Sequence, residues 1–191
     1  MPYPAKLHPG TILSAARQLL EDGGPEALSM RPLAERLGVQ PSSLYRHYAD
    51  RAALLSALET EATLELLATV QAHAAQATPA ASLHAVGLAY LAYARQHPHL
   101  YGLLLAPKEP YMATPGPGKD LWNAVLALVD AVTGQPDDTA ATVAVWAYLH
   151  GFVVLERSGQ FGLSGPRGGF ERGLQALIEG LGRKGGDAGP G

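Results

Sequence analysis

Residues 29–55 read Ser29-Met-Arg-Pro-Leu-Ala-Glu-Arg-Leu-Gly38-Val-Gln-Pro-Ser-Ser-Leu-Tyr-Arg-His-Tyr48-Ala-Asp-Arg-Ala-Ala-Leu-Leu55. The stretch reads as two short helices joined by a glycine turn, followed at once by the capped start of a longer helix. Ser29 suits an N-cap, where its hydroxyl can accept from a free amide. Met30, Leu33, Ala34 and Leu37 follow at the i, i+3, i+4, i+7 spacing of one buried face. Pro32 falls in the first turn, where a missing N–H is tolerated. Gly38 sits where a left-handed stop requires no Cβ, and Val39 can anchor the turn. Pro41 suits the first position of the next helix. There Pro41, Leu44 and Tyr48 share one side, and Ser42, Ser43, Arg46 and His47 share the other. Asp50 then caps a third helix, which Arg51 opens.

A helix–glycine turn–helix of this length matches an element whose second helix enters the DNA major groove. A plain helical hairpin with a solvated polar face has the same pattern. The capped helix at residue 50 separates the two, because its free amides and positive dipole end point the way of the polar face, toward a phosphate.

The run Leu-Gly-Val-Gln-Pro-Ser-Ser-Leu-Tyr-Arg-His-Tyr, with Asp-Arg-Ala-Ala-Leu-Leu after it, resembles the signature of the TetR family of bacterial transcriptional regulators. The resemblance covers about residues 10–57 and departs at Arg51, where the family more often has lysine. It implies that Ser29, Ser43, Tyr45 and Arg51 hold the phosphate backbone. It also implies that Gln40, Pro41, Ser42, Arg46 and His47 face bases. Tyr48 reads better as a core aromatic, whereas Tyr45 can pack its ring and still present its hydroxyl.

Length and composition suit a small cytoplasmic protein. The chain has 191 residues, enough for one sizeable core or two small ones, and no cysteine, which excludes disulfides and thiolate metal sites. Neither a signal-peptide run nor a charge-free segment of membrane-span length is apparent, so no membrane association is expected. The net charge of −3 by itself argues against a nucleic-acid binder. Residues 1–51 carry six Lys or Arg and five Asp or Glu, a net +1, which leaves −4 for the rest. Affinity for random DNA is therefore expected to be modest and strongly salt-dependent.

An all-α fold of about nine helices follows from the periodicity. The first helix spans about residues 10–22 and ends on Gly23-Gly24-Pro25. The fourth starts at 51 and continues to about 76, with the row Leu54, Leu58, Ala62, Leu66, Val70. Further helices are expected over about 81–97, 98–105, 119–132 and 137–158, with a loop at 107–118. The helix at 137–158 is apolar nearly all round and so must be covered on several sides. A glycine-rich loop at 159–169 precedes a last helix with Phe170, Leu174, Leu177, Ile178 and Leu181 on one stripe. The organisation read from this is a DNA-binding domain over 1–52, a ligand-binding and dimerisation domain over 53–183, and a disordered tail over 184–191.

The last two long helices are too apolar for a lone subunit to cover, which implies an isologous homodimer. The segment Val-Trp-Ala-Tyr-Leu-His-Gly-Phe around residues 145–152 resembles the Trp…His-Gly type of TetR C-terminal domain. Trp146, Leu149, Val153, Phe170, Leu174, Leu177 and Ile178 are the residues expected at the dimer interface. Trp146 and His150 lie four apart on one face, where packing with one satisfied histidine hydrogen bond outweighs a ligand contact. Tyr90, Tyr93, His97, Tyr101, Leu104, Tyr111, Met112, Trp122 and Trp146 are candidates to line a pocket for a small apolar or aromatic effector.

The function implied is a homodimeric repressor that binds a palindromic operator in double-stranded DNA and is released by an effector. A helical dimeric carrier or enzyme that does not bind DNA is the alternative. Against an enzyme, no His-Glu-x-x-His, Gly-x-Ser-x-Gly or P-loop pattern occurs. His97-Pro-His99 lacks a carboxylate or thiolate at ligand spacing, so neither a metal nor another cofactor is expected.

Overall fold

The computed structural model describes residues 7–105 and 116–186, with side chains through residue 183. Nine α-helices and no strand occur among the described residues: α1 Pro9–Ala27, α2 Met30–Leu37, α3 Pro41–Leu44, α4 Arg51–His73, α5 Pro79–Gln96, α6 Pro98–Leu104, α7 Pro117–Thr133, α8 Thr139–Arg157 and α9 Gly169–Gly186. The chain forms two compact units, one of residues 1–63 with 97–113 and one of 64–96 with 114–191. Tyr111 and Met112 lie outside the described residues. So do residues 187–191, whereas α9 continues to Gly186, three residues into the stretch expected to be a free tail.

In the first unit, α1 is interrupted at Gly24 (φ 75°, ψ −178°), a left-handed conformation that glycine adopts without a Cβ penalty. The Gly-Gly-Pro stop is thus real, and a single turn follows it. Gly38 closes α2 at φ 65°, as its position after Leu37 requires. Ser29 occupies the N-cap backbone position of α2, its carbonyl accepting from Leu33 N–H at 3.1 Å. Contrary to expectation its hydroxyl makes no cap bond. Pro32, at the third helical position, has no N–H to offer, which removes one of the two amides such a cap can reach. Asp50 does cap α4, its Oδ1 accepting from Ala53 N–H at 2.8 Å.

The core of this unit gathers Ile12, Ala16 and Leu20 from α1, Leu33 from α2, Leu44 from α3, Leu54, Leu58 and Ala62 from α4, and Leu100 from α6. All are fully out of solvent. Helix α6, more than 40 residues beyond the helix-turn-helix in sequence, is therefore part of its core. Glu21 docks it: the carboxylate accepts from His99 N–H at 3.3 Å and Leu100 N–H at 2.8 Å, filling two of the open amides at the start of α6. Arg17 of α1 reaches Glu61 of α4 at 3.0 Å.

In the second unit α5 packs on α7, α8 and α9, and α7 packs on α8 and α9. Thr78 starts α5 by accepting from Ala81 N–H at 3.1 Å, and Asp138 starts α8 by accepting from Ala141 N–H at 3.0 Å. Gly87 of α5 lets Leu174 of α9 approach closely. The Tyr148 hydroxyl of α8 donates to the Phe170 carbonyl at 2.6 Å, holding the start of α9.

The single chain covers α8 on one side and leaves another open, as expected of a helix too apolar for a lone subunit to cover. Leu149 and Val153 are 3% and 1% exposed, but Val143, Val154 and Leu155 are 52%, 46% and 45% exposed. By length and composition alone α8 could also cross a membrane, which the sequence reading did not anticipate; its inner stripe instead packs in this helical core.

Candidate functional site

The polar face of the α3 segment stands free of the chain. Leu44 is fully buried and anchors the segment, with Pro41 and Tyr48 half-buried beside it. The regular helix is short, but Tyr48 N–H still donates to Leu44 O at 3.0 Å, so the helical path carries through the turn. That path leaves Gln40, Ser42, Arg46 and His47 exposed and Ser43 half-exposed. None of these side chains has a hydrogen bond or ion pair with another described residue. An exposed face with idle donors, fixed from behind by a buried leucine, can present hydrogen-bonding groups to base edges.

Tyr45 departs from its expected mixed role, since its ring is 53% exposed and does not pack in the core. Tyr48 does pack there, and burial together with the nearby Glu61 carboxylate raises its hydroxyl pKa. Arg51 holds to the chain itself: Nε donates to Leu28 O at 2.7 Å and Nη2 to Pro25 O at 2.5 Å. Nothing in the local sequence signals those two bonds, which join residues 23 and 26 apart.

The expected pocket residues divide between the two units. His97, Tyr101 and Leu104 belong to the first. There His97 Nδ1 lies 3.5 Å from Arg17 Nη2, Tyr101 is wholly buried, and Leu104 packs against the core. The ring of His99 covers Gly24. Tyr90, Tyr93, Trp122 and Trp146 belong to the second unit. Tyr93 donates to Glu65 Oε2 at 3.2 Å. The remaining three gather with His150 into one aromatic cluster. Trp146 lies 5.0 Å from His150, 6.2 Å from Trp122 and 6.5 Å from Tyr90 between ring centroids. The Tyr90 hydroxyl and His150 Nδ1 share a hydrogen bond of 2.7 Å. Burial lowers the His150 pKa to about 4, so the imidazole is neutral at physiological pH.

Five residues expected at a dimer interface are instead core of the single chain: Leu149, Val153, Phe170, Leu174 and Ile178 are 5% exposed or less. Trp146 and Leu177 are half-buried. Periodicity finds the most apolar stripe, and that stripe is the first to be buried inside a subunit. The exposed stripe on α8 is Val143, Ala147, Gly151 and Val154, at i, i+4, i+8 and i+11, with Leu155 beside it. A Cβ on Gly151 would meet nothing within 4 Å, so the close approach that this glycine permits is unused within the chain.

Comparison with known proteins agrees with this geometry. Residues 12–58 match the family model of bacterial regulatory proteins of the tetR family, and residues 83–178 match that of the tetracyclin repressor-like C-terminal domain. Over 53 residues the chain is 51% identical to the class A tetracycline repressor protein from transposon 1721 of Escherichia coli. That stretch is 28% of this chain and 24% of the repressor, so the match spans about a quarter of the repressor's length. Over 163 residues it is 29% identical to an uncharacterised helix-turn-helix-type transcriptional regulator of Mycobacterium tuberculosis, covering 82% of this chain and 73% of that one. A TetR variant from Acinetobacter baumannii, solved in complex with minocycline, superimposes with a TM-score of 0.71 at 26% identity, covering 93% of this chain and 98% of that one. With both stretches matched by family models of this kind, the chain belongs to the TetR family of bacterial transcriptional regulators.

Proposed function

We propose that this regulator is a cytoplasmic homodimeric repressor that binds a roughly palindromic operator and leaves it when a small apolar or aromatic effector binds. The observation that carries the reading is the partnerless polar set Gln40, Ser42, Arg46 and His47 on a buried Leu44 anchor. Those side chains face bases, with Pro41 against them, while Ser29, Ser43 and Tyr45 meet phosphates. The exposed Tyr45 ring suits this, since its hydroxyl is free to reach a backbone oxygen. DNA binding is assigned to residues 1–52, and ligand binding and dimerisation to the chain that follows.

A second copy of the chain covers Val143, Ala147, Gly151, Val154 and Leu155 of α8. An isologous pair buries this face on itself and sets two reading surfaces ~34–36 Å apart, one turn of the duplex. The effector binds at the aromatic cluster of Tyr90, Trp122, Trp146 and His150; that an Acinetobacter relative was solved in complex with minocycline supports a small-molecule ligand, though not its place. It acts only to the extent that it prefers the DNA-incompetent arrangement, since equal affinity shifts nothing.

In vitro selection of duplex DNA with the purified chain tests the proposal. A two-fold symmetric site is expected. Arg46→Ala is expected to cost about 1–3 kcal/mol on that site and to relax the choice of base at one position. A chain that enriches no sequence at low salt, yet still binds small aromatic ligands, is a carrier and not a repressor.

A further inference from the structure

We infer that Arg51 is a positioning residue for DNA recognition, pinning the corner between α1 and α2 to the head of α4, and that it is not a phosphate contact. The inference rests on the DNA-binding reading above, but the solvent-exchange part of its first test does not. Arg51 spends Nε on the Leu28 carbonyl at 2.7 Å and Nη2 on the Pro25 carbonyl at 2.5 Å. Both acceptors sit at the end of α1, where carbonyls lack partners within the helix and carry its negative pole. Gly24 has just turned the chain out of the helical path.

With the arginine in place Leu28 is fully excluded from solvent. Swinging the guanidinium out to a phosphate would strip the Leu28 carbonyl of that donor and leave Pro25 O only the 3.3 Å bond from Leu28 N–H. A planar fork fits two adjacent carbonyls, whereas the ammonium of lysine is a single point of charge on a flexible stem. The family's more usual lysine would not span this pair.

The corner matters because it leads directly into Ser29 and α2, which carries α3 through Gly38. It is held by α6 as well: Glu21 accepts from two amides of α6, and His99 lies over Gly24. A corner fixed by both helices sets the angle at which the α3 face meets the groove.

Two measurements test this. In the 15N-labelled wild-type chain, assigned by its loss in Arg51→Lys, the Arg51 Nε–H is expected to exchange slowly with solvent. Its shift is expected to be the same with and without the selected duplex. Rapid exchange, or a shift on DNA binding, overturns the pin. Binding of Arg51→Lys and Arg51→Gln to the selected site and to random duplex is then followed against salt. Both variants are expected to lose roughly tenfold on the selected site and less on random DNA, with the wild-type salt slope kept. Near-wild-type affinity for Arg51→Lys, with the slope of Arg51→Gln lowered by about 1, identifies a phosphate contact and overturns the inference. If the variants do not fold, the wild-type Nε–H signal is assigned instead by through-bond correlation to the Arg51 backbone, and it decides alone. If the wild-type chain selects no duplex, the DNA reading fails while that signal still decides the pin.

Discussion

Leu100→Ala is the perturbation that separates the core described above from a helix-turn-helix that stands by itself. Leu100 is wholly buried in the first unit, although it lies far from the DNA-reading helices in sequence. Its truncation removes three carbons and forfeits roughly 2 kcal/mol of transfer free energy. A residual cavity of roughly 50–80 Å3, at about 24 cal/mol per Å3, adds roughly 1–2 kcal/mol. The expected loss is therefore about 3–4 kcal/mol. For a unit of fewer than 100 residues, each kcal/mol moves the melting point by about 4–8 °C. The assay follows from where the tryptophans lie: Trp122 and Trp146 both belong to the second unit, and the first has none. Circular dichroism reports both units, and tryptophan emission reports the second. In Leu100→Ala, helicity is expected to be lost at low denaturant before the tryptophan emission moves. Leu105→Ala, at a position 38% exposed, serves as the control and is expected to cost under about 1 kcal/mol. A Leu100→Ala loss no larger than that of the control refutes the placement of α6 in this core.

Gly87→Ala directs a Cβ to within 2.5 Å of Leu174 Cδ2, and Leu174 is too buried to swing aside. Overpacking of about 1–3 kcal/mol is expected, read from tryptophan emission against denaturant. His150 titrates near pH 4 in the folded chain and near 6.5 when unfolded, so between those values the unfolded state holds the extra proton. Stability is therefore full above about pH 6.5 and falls as the pH drops toward 4. His150→Gln is expected to flatten that limb, and an unchanged slope would assign it to other groups. Val154→Glu puts a carboxylate in the exposed stripe of α8, and sedimentation is expected to find a dimer for the parent chain and a monomer for the variant.

Much of the first unit could be read from local chemistry. Gly38 after Leu37, Pro41 at a helix start and Asp50 before Arg51 each act within a few residues, and the structure returns each in its place. The row from Leu54 to Val70 is buried throughout for the same reason, since a single helix dictates it. Ser29 shows the limit of a local rule, because a proline three positions on removes one of the two amides the cap could reach and no cap bond forms. Contacts between distant segments left no local trace. Arg51 on Leu28 and Pro25, and Glu21 on the amides of α6, depend on which elements meet. The α8 stripes were ambiguous from the start: when every face is apolar, periodicity cannot say which face turns inward. The polar face of α3 needed only the opposite of burial: of the four residues that spacing put there, Ser42, Arg46 and His47 are exposed and Ser43 is half-exposed.

The dependence of the first unit on α6 also sets an order of events during synthesis. When Leu55 leaves the ribosome, every residue of the helix-turn-helix is present, yet the slot that Leu100 fills is empty and Glu21 has no amides to receive. At roughly 5–20 residues per second, the missing helix arrives roughly 2–9 s later. During that interval the nascent chain shows an apolar groove of its own, which a chaperone can occupy and a protease can find. A transcript truncated anywhere before α6 therefore yields a helix-turn-helix with an unfinished core, and not a free-standing folded unit.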